Sequence, residues 1–239
     1  MHQTTRKMLF AVLGILLCAG VIQAGRTVYT MAVGTHRSDA RYEVILDPGH
    51  GGIDPGKIGI NNVYEKDINL AICFQLKEIL EQNDCHVQML RTADEGLYQP
   101  GDTNKKMADL RKRCERINES AADVVVSIHQ NSFSQESSHG AQVFYQASSE
   151  QGKALASCIQ QQMISSLDQE NKRQIKANQD YYMLKNTQKV MVIVECGFLS
   201  NVQEAQLLTQ EAYQRRVAWA VALGTMQWLG TLDKGLETK

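Results

Sequence analysis

Apolar residues along this chain switch repeatedly between short continuous runs and stripes at helical spacing. Val44 to Asp47 is a short apolar run that stops at Pro48 and Gly49, which predicts a buried strand. From Asp67 to Gln82 the apolar positions 68, 72, 76, 79 and 80 form one helical stripe. Val87 to Leu90 predicts a second strand, and Met107, Leu110, Cys114 and Ile117 mark the next helix. Val124 to Ile128 predicts a third buried strand, with His129 directly after it. Gly140 to Gln146 and Tyr182 to Leu184 read as further strands, separated by a helix around Leu155, Ile159, Met163 and Leu167. Val190 to Val194 is the last apolar run and ends at Glu195. Tyr213, Val217, Ala220, Val221 and Trp228 give a closing amphipathic helix, with Gly224 on the same face. Strands alternating with helices imply an α/β fold: a single twisted, largely parallel sheet flanked by helices. No internal repeat or second domain is visible. One domain is expected over residues 42–232, followed by a tail, 233–239.

The N-terminus follows a different pattern. Arg6 and Lys7 precede an apolar run from Met8 to Ile22, with no further charge until Arg26. That length suits a signal-peptide core and is short for a helix needing about 20 residues to span a bilayer. Ile22-Gln23-Ala24 departs from the small-x-small cleavage pattern, so residues 1–26 are read either as a signal peptide or as an uncleaved membrane anchor. Leu17 before Cys18 is too large for a lipoprotein site. Thr27 to Arg41 is polar and aperiodic and reads as a linker. The chain is therefore expected to be exported, either secreted or held at the membrane.

Composition narrows the function classes. Lys and Arg total 25 against 26 acidic residues, which leaves no electrostatic footprint for nucleic acid. The 6 cysteines include no CxxC, and Cys73, Cys114 and Cys158 fall among helical apolar positions. They read as buried thiols behaving as small hydrophobes, although one disulfide pair stays open.

Three predicted strand ends carry ionisable residues: His50 after Asp47-Pro48-Gly49, His129 after Ser127-Ile128, and Glu195 after Ile193-Val194. Ligands in open α/β sheets bind beyond the carboxyl ends of the strands, so these groups can converge. Glu65 lies just before the first helix, where one loop can return it to His50. Two imidazoles and a carboxylate form a catalytic zinc set that leaves a coordination position open for water. Glycines 49, 51, 52 and 56 let the backbone around His50 turn tightly. The loop lacks the Gly-Lys-Ser/Thr and GxGxxG patterns of phosphate cradles. Taken singly, each histidine could be a hydrogen-bonded loop residue, and Glu65 could simply complement a helix N-terminus. Glu195 resists such a reading, because a carboxylate ending an apolar strand is costly to bury unpaired. Cys196 should face the opposite side and pack in the core. His139 reads as a loop residue, and His2, His36 and His86 have no supporting context.

Four ordered blocks complete the picture: Val-Ile-Leu-Asp-Pro-Gly-His-Gly-Gly (44–52), Glu-Lys-Asp-Ile-Asn-Leu (65–70), Ser-Ile-His-Gln-Asn-Ser (127–132) and Val-Glu-Cys-Gly-Phe-Leu-Ser-Asn (194–201). Together they resemble the zinc-dependent N-acetylmuramoyl-L-alanine amidases of the Amidase_3 type, over about residues 43 to 230. The resemblance implies His50, Glu65 and His129 as zinc ligands, Glu195 as the catalytic glutamate and Arg91 as structural. It implies hydrolysis of the lactyl amide between N-acetylmuramic acid and L-alanine of peptidoglycan stems. The short plan, with Asp109 to Asp123, is similar to the germination-specific, CwlD-type members of spore formers. That likeness implies spore cortex as substrate and a downstream peptidoglycan deacetylase that prepares the muramic δ-lactam; dependence on an activating protein partner stays open. The alternatives are a zinc peptidase acting elsewhere on the stem and a catalytically silent wall-binding protein. A solute-binding domain would explain none of the four polar residues.

Overall fold

A computed structural model of the chain describes residues 40–234. The expected signal or anchor segment, most of the linker and the end of the tail lie outside the described residues. Among the described residues, no helix is long and apolar enough to cross a membrane.

Six strands form one sheet in the order β2-β1-β3-β6-β4-β5. They are β1 (Tyr42–Pro48), β2 (Cys85–Met89), β3 (Val124–Asn131), β4 (Gln142–Gln146), β5 (Lys176–Asn178) and β6 (Met191–Phe198). β1 pairs in parallel with β2 and β3, and β3 in parallel with β6. β4 runs antiparallel to β6 and parallel to the edge strand β5. The helices are α1 (Glu65–Glu81), α2 (Lys105–Glu119), α3 (Glu150–Leu167), α4 (Tyr182–Asn186), α5 (Val202–Leu208) and α6 (Glu211–Lys234). The sheet is thus mostly parallel and flanked by helices, as the alternation of periods predicts.

Both faces of the sheet are covered, and the two-residue period of the strands sorts side chains between them. Val44, Leu46, Val124, Val126, Ile128, Val192 and Val194 join the larger core with the apolar stripes of α1, α3 and α6. Ile45, Val125, Met191 and Ile193 point the other way, into a smaller core with Cys114 and Ile117 of α2 and Met183 and Leu184 of α4. On this second face apolar residues give way toward the carboxyl ends of the strands. Asp47, Ser127, His129 and Glu195 take the following positions, and Asp47 pairs with Ser127 and His129 with Glu195 across the ladders. The candidate site occupies this polar end.

Two local expectations are corrected. Tyr182 to Leu184 begins a helical turn, not a strand. Met183, Leu184 and Thr187 are all buried, a spacing of one and four that suits a helix and conflicts with strand alternation. The strand in this region is β5, whose Lys-Ala-Asn sequence is largely exposed and carries no apolar signal. His129 and Glu195 also lie within β3 and β6, not beyond them, since both strands continue to Asn131 and Phe198 past an irregularity after His129.

The five cysteines among the described residues, 73, 85, 114, 158 and 196, are all free thiols. Gly224 brings α6 against α3: a Cβ there would lie 2.5 Å from the Ile159 Cα and 2.7 Å from its backbone nitrogen. Gly224→Ala should lower the unfolding midpoint. The gain in helix propensity, about 1 kcal/mol, is outweighed by overpacking of about 1–3 kcal/mol against backbone that cannot rotate away. Thermal unfolding of the variant checks this; a raised midpoint would show that the two helices can separate without loss.

Candidate active site at the carboxyl end of the sheet

The loop after β1 carries His50 in a left-handed backbone conformation, φ 63°. That conformation is uncommon outside glycine and persists where surrounding contacts impose it. Here two buried arginines impose it. Arg91 donates to the carbonyls of Pro48, Gly49, Ala93 and Lys66 at 2.8–3.0 Å. Arg113 donates to the Pro48 carbonyl at 2.9 Å and the His50 carbonyl at 2.6 Å, and ion-pairs with Asp47 and Asp109. Arg91 is therefore structural, as expected.

The start of α1 is locked to the same loop. Glu65 and Lys66 donate their backbone N–H groups to the carbonyls of Lys57 and Pro55, satisfying helix donors that no side chain caps. Glu65, buried at 4% exposure, then extends over the sheet end. Its Oε1 lies 3.2 Å from His50 Nε2 and 2.9 Å from His129 Nδ1. The two imidazoles meet edge to face with centroids 4.9 Å apart. One ligand atom from each of His50, Glu65 and His129 falls within a set no more than 4.8 Å across. Close backbone approach permits this: a Cβ at Gly49 would lie 2.2 Å from His129 Cε1, and one at Gly56 2.6 Å from Glu65 Oε2.

The electrostatics follow from these contacts. Burial alone would lower the His50 pKa, but hydrogen bonds to Asp54 and Glu65 overcome it and lift it to about 9. Burial raises the Glu65 carboxyl, and the two imidazoles more than reverse this, holding it well below the usual carboxylate range. Glu195 behaves oppositely. Burial pushes it up to about 7, with His129 and His50 pulling down and Glu65 pushing up. Its Oε2 is buried with no hydrogen-bond partner, a costly state that calls for an occupant of the site.

All four residues expected to act together therefore meet here. His139 stays in the loop before β4, bonded to the Ser137 carbonyl, and His86 pairs with Glu43 on the neighbouring strand. Cys196 is buried in the larger core, and burial raises its thiol pKa, which removes it as a nucleophile. Three contributors escaped the sequence reading. Asp54 accepts from His50 Nδ1 at 2.8 Å, which turns Nε2 toward Glu65. Asn69 donates to Glu65 Oε1 and to the Gly49 carbonyl. Arg113 anchors the loop from below. Asp54, four residues after His50, and Asn69, four after Glu65, sit at short-range spacings that could have flagged them.

The Amidase_3 model, N-acetylmuramoyl-L-alanine amidase, matches residues 44–227, which contain all four site residues. The chain belongs to this family. The amidase is 34% identical over 188 residues to the germination-specific N-acetylmuramoyl-L-alanine amidase of Bacillus subtilis (strain 168), covering 77% of this chain and 78% of that one. Its fold is similar to the CwlD amidase from Clostridioides difficile, solved in complex with the GerS lipoprotein. There the TM-score is 0.78 at 41% identity, over 80% of this chain and 100% of that one. An N-acetylmuramoyl-L-alanine amidase from Clostridium difficile 630 aligns with TM-score 0.71 and 32% identity, over 81% of this chain and 98% of its own. The amidase acts on peptidoglycan, cutting stem peptide from glycan at the N-acetylmuramoyl-L-alanine amide.

Proposed function

We propose that the amidase is a zinc enzyme in which His50, Glu65 and His129 hold the metal and Glu195 moves the protons. The observation that carries this reading is the convergence of the three ligand atoms within 4.8 Å, beside a carboxylate oxygen that lacks any partner. The donor set fits the ion. Three protein ligands of nitrogen and oxygen type leave a fourth position open, as catalytic zinc sites require. Zinc bound there supplies Lewis acidity toward a carbonyl oxygen and makes water easier to deprotonate.

The side chains do the remainder. Asp54 fixes the His50 tautomer by accepting from Nδ1, so that Nε2 presents its lone pair to the site. Glu195, opposite His129 in the ladder, takes the proton of the attacking water on Oε2. A pKa lifted toward neutrality suits it to hold that proton and then return it to the alanine nitrogen. The second transfer matters as much as the first, because an amine leaves poorly unless protonated.

The biological substrate we propose is spore cortex. The likeness to a germination-specific amidase and to a CwlD amidase supports it. Stripping stems from muramic acid would prepare it for a downstream deacetylase and closure of the δ-lactam. Export, with secretion or retention at the membrane through the N-terminal segment, and an activating lipoprotein-type partner belong to the same reading.

Mass spectrometry of peptidoglycan, cortex included, after incubation with the purified protein and zinc tests the proposal. Released stems beginning with L-alanine, absent when a chelator is added, are the expected result. Internally cut peptides would indicate a peptidase, and binding without release would indicate a silent wall-binding protein.

A further inference from the structure

The contacts of β3 place the Gln130 side chain against α1, while the His129 imidazole meets Glu65 in the site. On α1 Gln130 meets Asn69, one helical turn after Glu65. Asn69 is wholly buried and Gln130 is 4% exposed. The Asn69 amide nitrogen donates to the Gly49 carbonyl at 3.1 Å and to Glu65 Oε1 at 3.3 Å. Gln130 donates its amide nitrogen to Asn69 Oδ1 at 3.1 Å and its backbone N–H to Glu65 Oε1 at 3.0 Å.

The direction of this chain is fixed by chemistry. A carbonyl and an ionised carboxylate only accept, so the NH2 side of Asn69 has to face Gly49 and Glu65. Asn69 Oδ1 then faces Gln130 and requires a donor, which sets the Gln130 amide as well. Gln130 Oε1 is consequently left buried without a partner.

Asn69 joins the three segments that carry the proposed ligands: Gly49 precedes His50, Glu65 is itself a ligand, and Gln130 follows His129. We infer that the Asn69–Gln130 amide pair is a positioning device that holds the Glu65 carboxylate toward the two imidazoles and thereby sets metal affinity. The inference rests on the zinc reading above and goes beyond it, since neither amide is a ligand. Asn69 acts directly on Glu65 and Gly49; the Gln130 side chain acts only through Asn69.

Zinc affinity of the full chain, measured by competition with a chromophoric chelator, tests this. Asn69→Leu keeps the branching at Cγ and removes all three bonds; affinity should fall about 10–100-fold, the range for lost partners of metal ligands. Gln130→Met should weaken binding several-fold. The double variant should bind no more weakly than Asn69→Leu alone, because the glutamine works through the asparagine. A merely structural role would give additive losses, and cobalt(II) absorption would then be unchanged in both single variants instead of shifted. Affinity within twofold of the parent in both single variants overturns the inference. If Asn69→Leu fails to fold in chelator, Gln130→Met decides by the same criterion. Failure of the zinc reading is distinct: the parent would not bind zinc, or His129→Ala would bind as well as the parent.

Discussion

Glu195→Gln is expected to lower kcat by at least about 10²–10⁴-fold, the usual contribution of a positioned general acid–base group, while making the metal-free protein more stable at alkaline pH. The two effects share one cause. Burial lifts the Glu195 pKa from 4.5 to about 7, so the folded state favours the protonated carboxyl. Between those values the folded protein binds more protons than the unfolded chain, and stability falls as pH rises. Above about 7 the full penalty is present, on the order of 3 kcal/mol. Glutamine keeps the shape and carries no charge at any pH, so it escapes the penalty. In chelator at pH 8 the variant should unfold several degrees higher than the parent, at about 2–4 °C per kcal/mol for a domain of this size. At pH 5 the difference should be much smaller. Equal midpoints at both pH values would show that the carboxylate is well solvated, and the account of it as a poised proton carrier would fail. Full activity in the variant would remove Glu195 from the mechanism altogether.

The origin of that pKa shows where sequence reading succeeds. A carboxylate ending a run of apolar residues is anomalous in any strand, and the anomaly is visible before the fold is known. The runs at β1, β3 and β6 are equally plain because the strands are covered on both faces and need no alternation. The stripe of α1 at 68, 72, 76, 79 and 80 is buried as the spacing predicts. What the sequence hid was structure sustained by neighbours. The edge strand β5 has mostly exposed side chains and exists through its ladder with β4, so no apolar pattern marks it. α4 is only five residues long, and Tyr-Met-Leu suits strand or helix until Leu184 and Thr187 are seen buried together. The positioning residues were hidden for a related reason. Asp54 and Asn69 look like ordinary loop and helix polar residues; their spacing of four from His50 and Glu65 is the one local hint, and the rest of the Asn69 role comes from Gly49 and Gln130, distant in sequence. Arg113 sits in the basic run Arg-Lys-Arg at 111–113, where nothing in its own identity separates it from its solvated neighbours. Its one local signal is position: it shares the buried face of α2 with Asp109, Cys114 and Ile117.

Arg113→Met should destabilise the protein by about 3–5 kcal/mol, the cost of breaking a buried ion-pair cluster and leaving Asp47, the more deeply buried of its two carboxylates, without a cation. Asp47 and Arg113 are each only 1% exposed. Burial would raise the Asp47 pKa, and it is held below the ordinary value first by Arg113 and then by the Ser127 hydroxyl, 2.7 Å away. Methionine fills part of the space and leaves that carboxylate facing a single hydroxyl donor. The expected fall in unfolding midpoint is roughly 10 °C. Adding Asp47→Asn should recover part of it, because the abandoned charge is gone; strictly additive losses would show that the pair is not coupled and would refute the explanation. Arg113→Lys separates charge from geometry. Lysine keeps the positive charge near Asp47, but one ammonium cannot reach Asp109, Asp47 and the Pro48 and His50 carbonyls that the guanidinium fork serves together. Stability should therefore be largely retained while activity falls, because the His50 carbonyl loses its anchor and the imidazole its fixed approach to Glu65. Equal activity in lysine variant and parent would mean that the loop holds His50 without help, leaving Arg91 as its sufficient support.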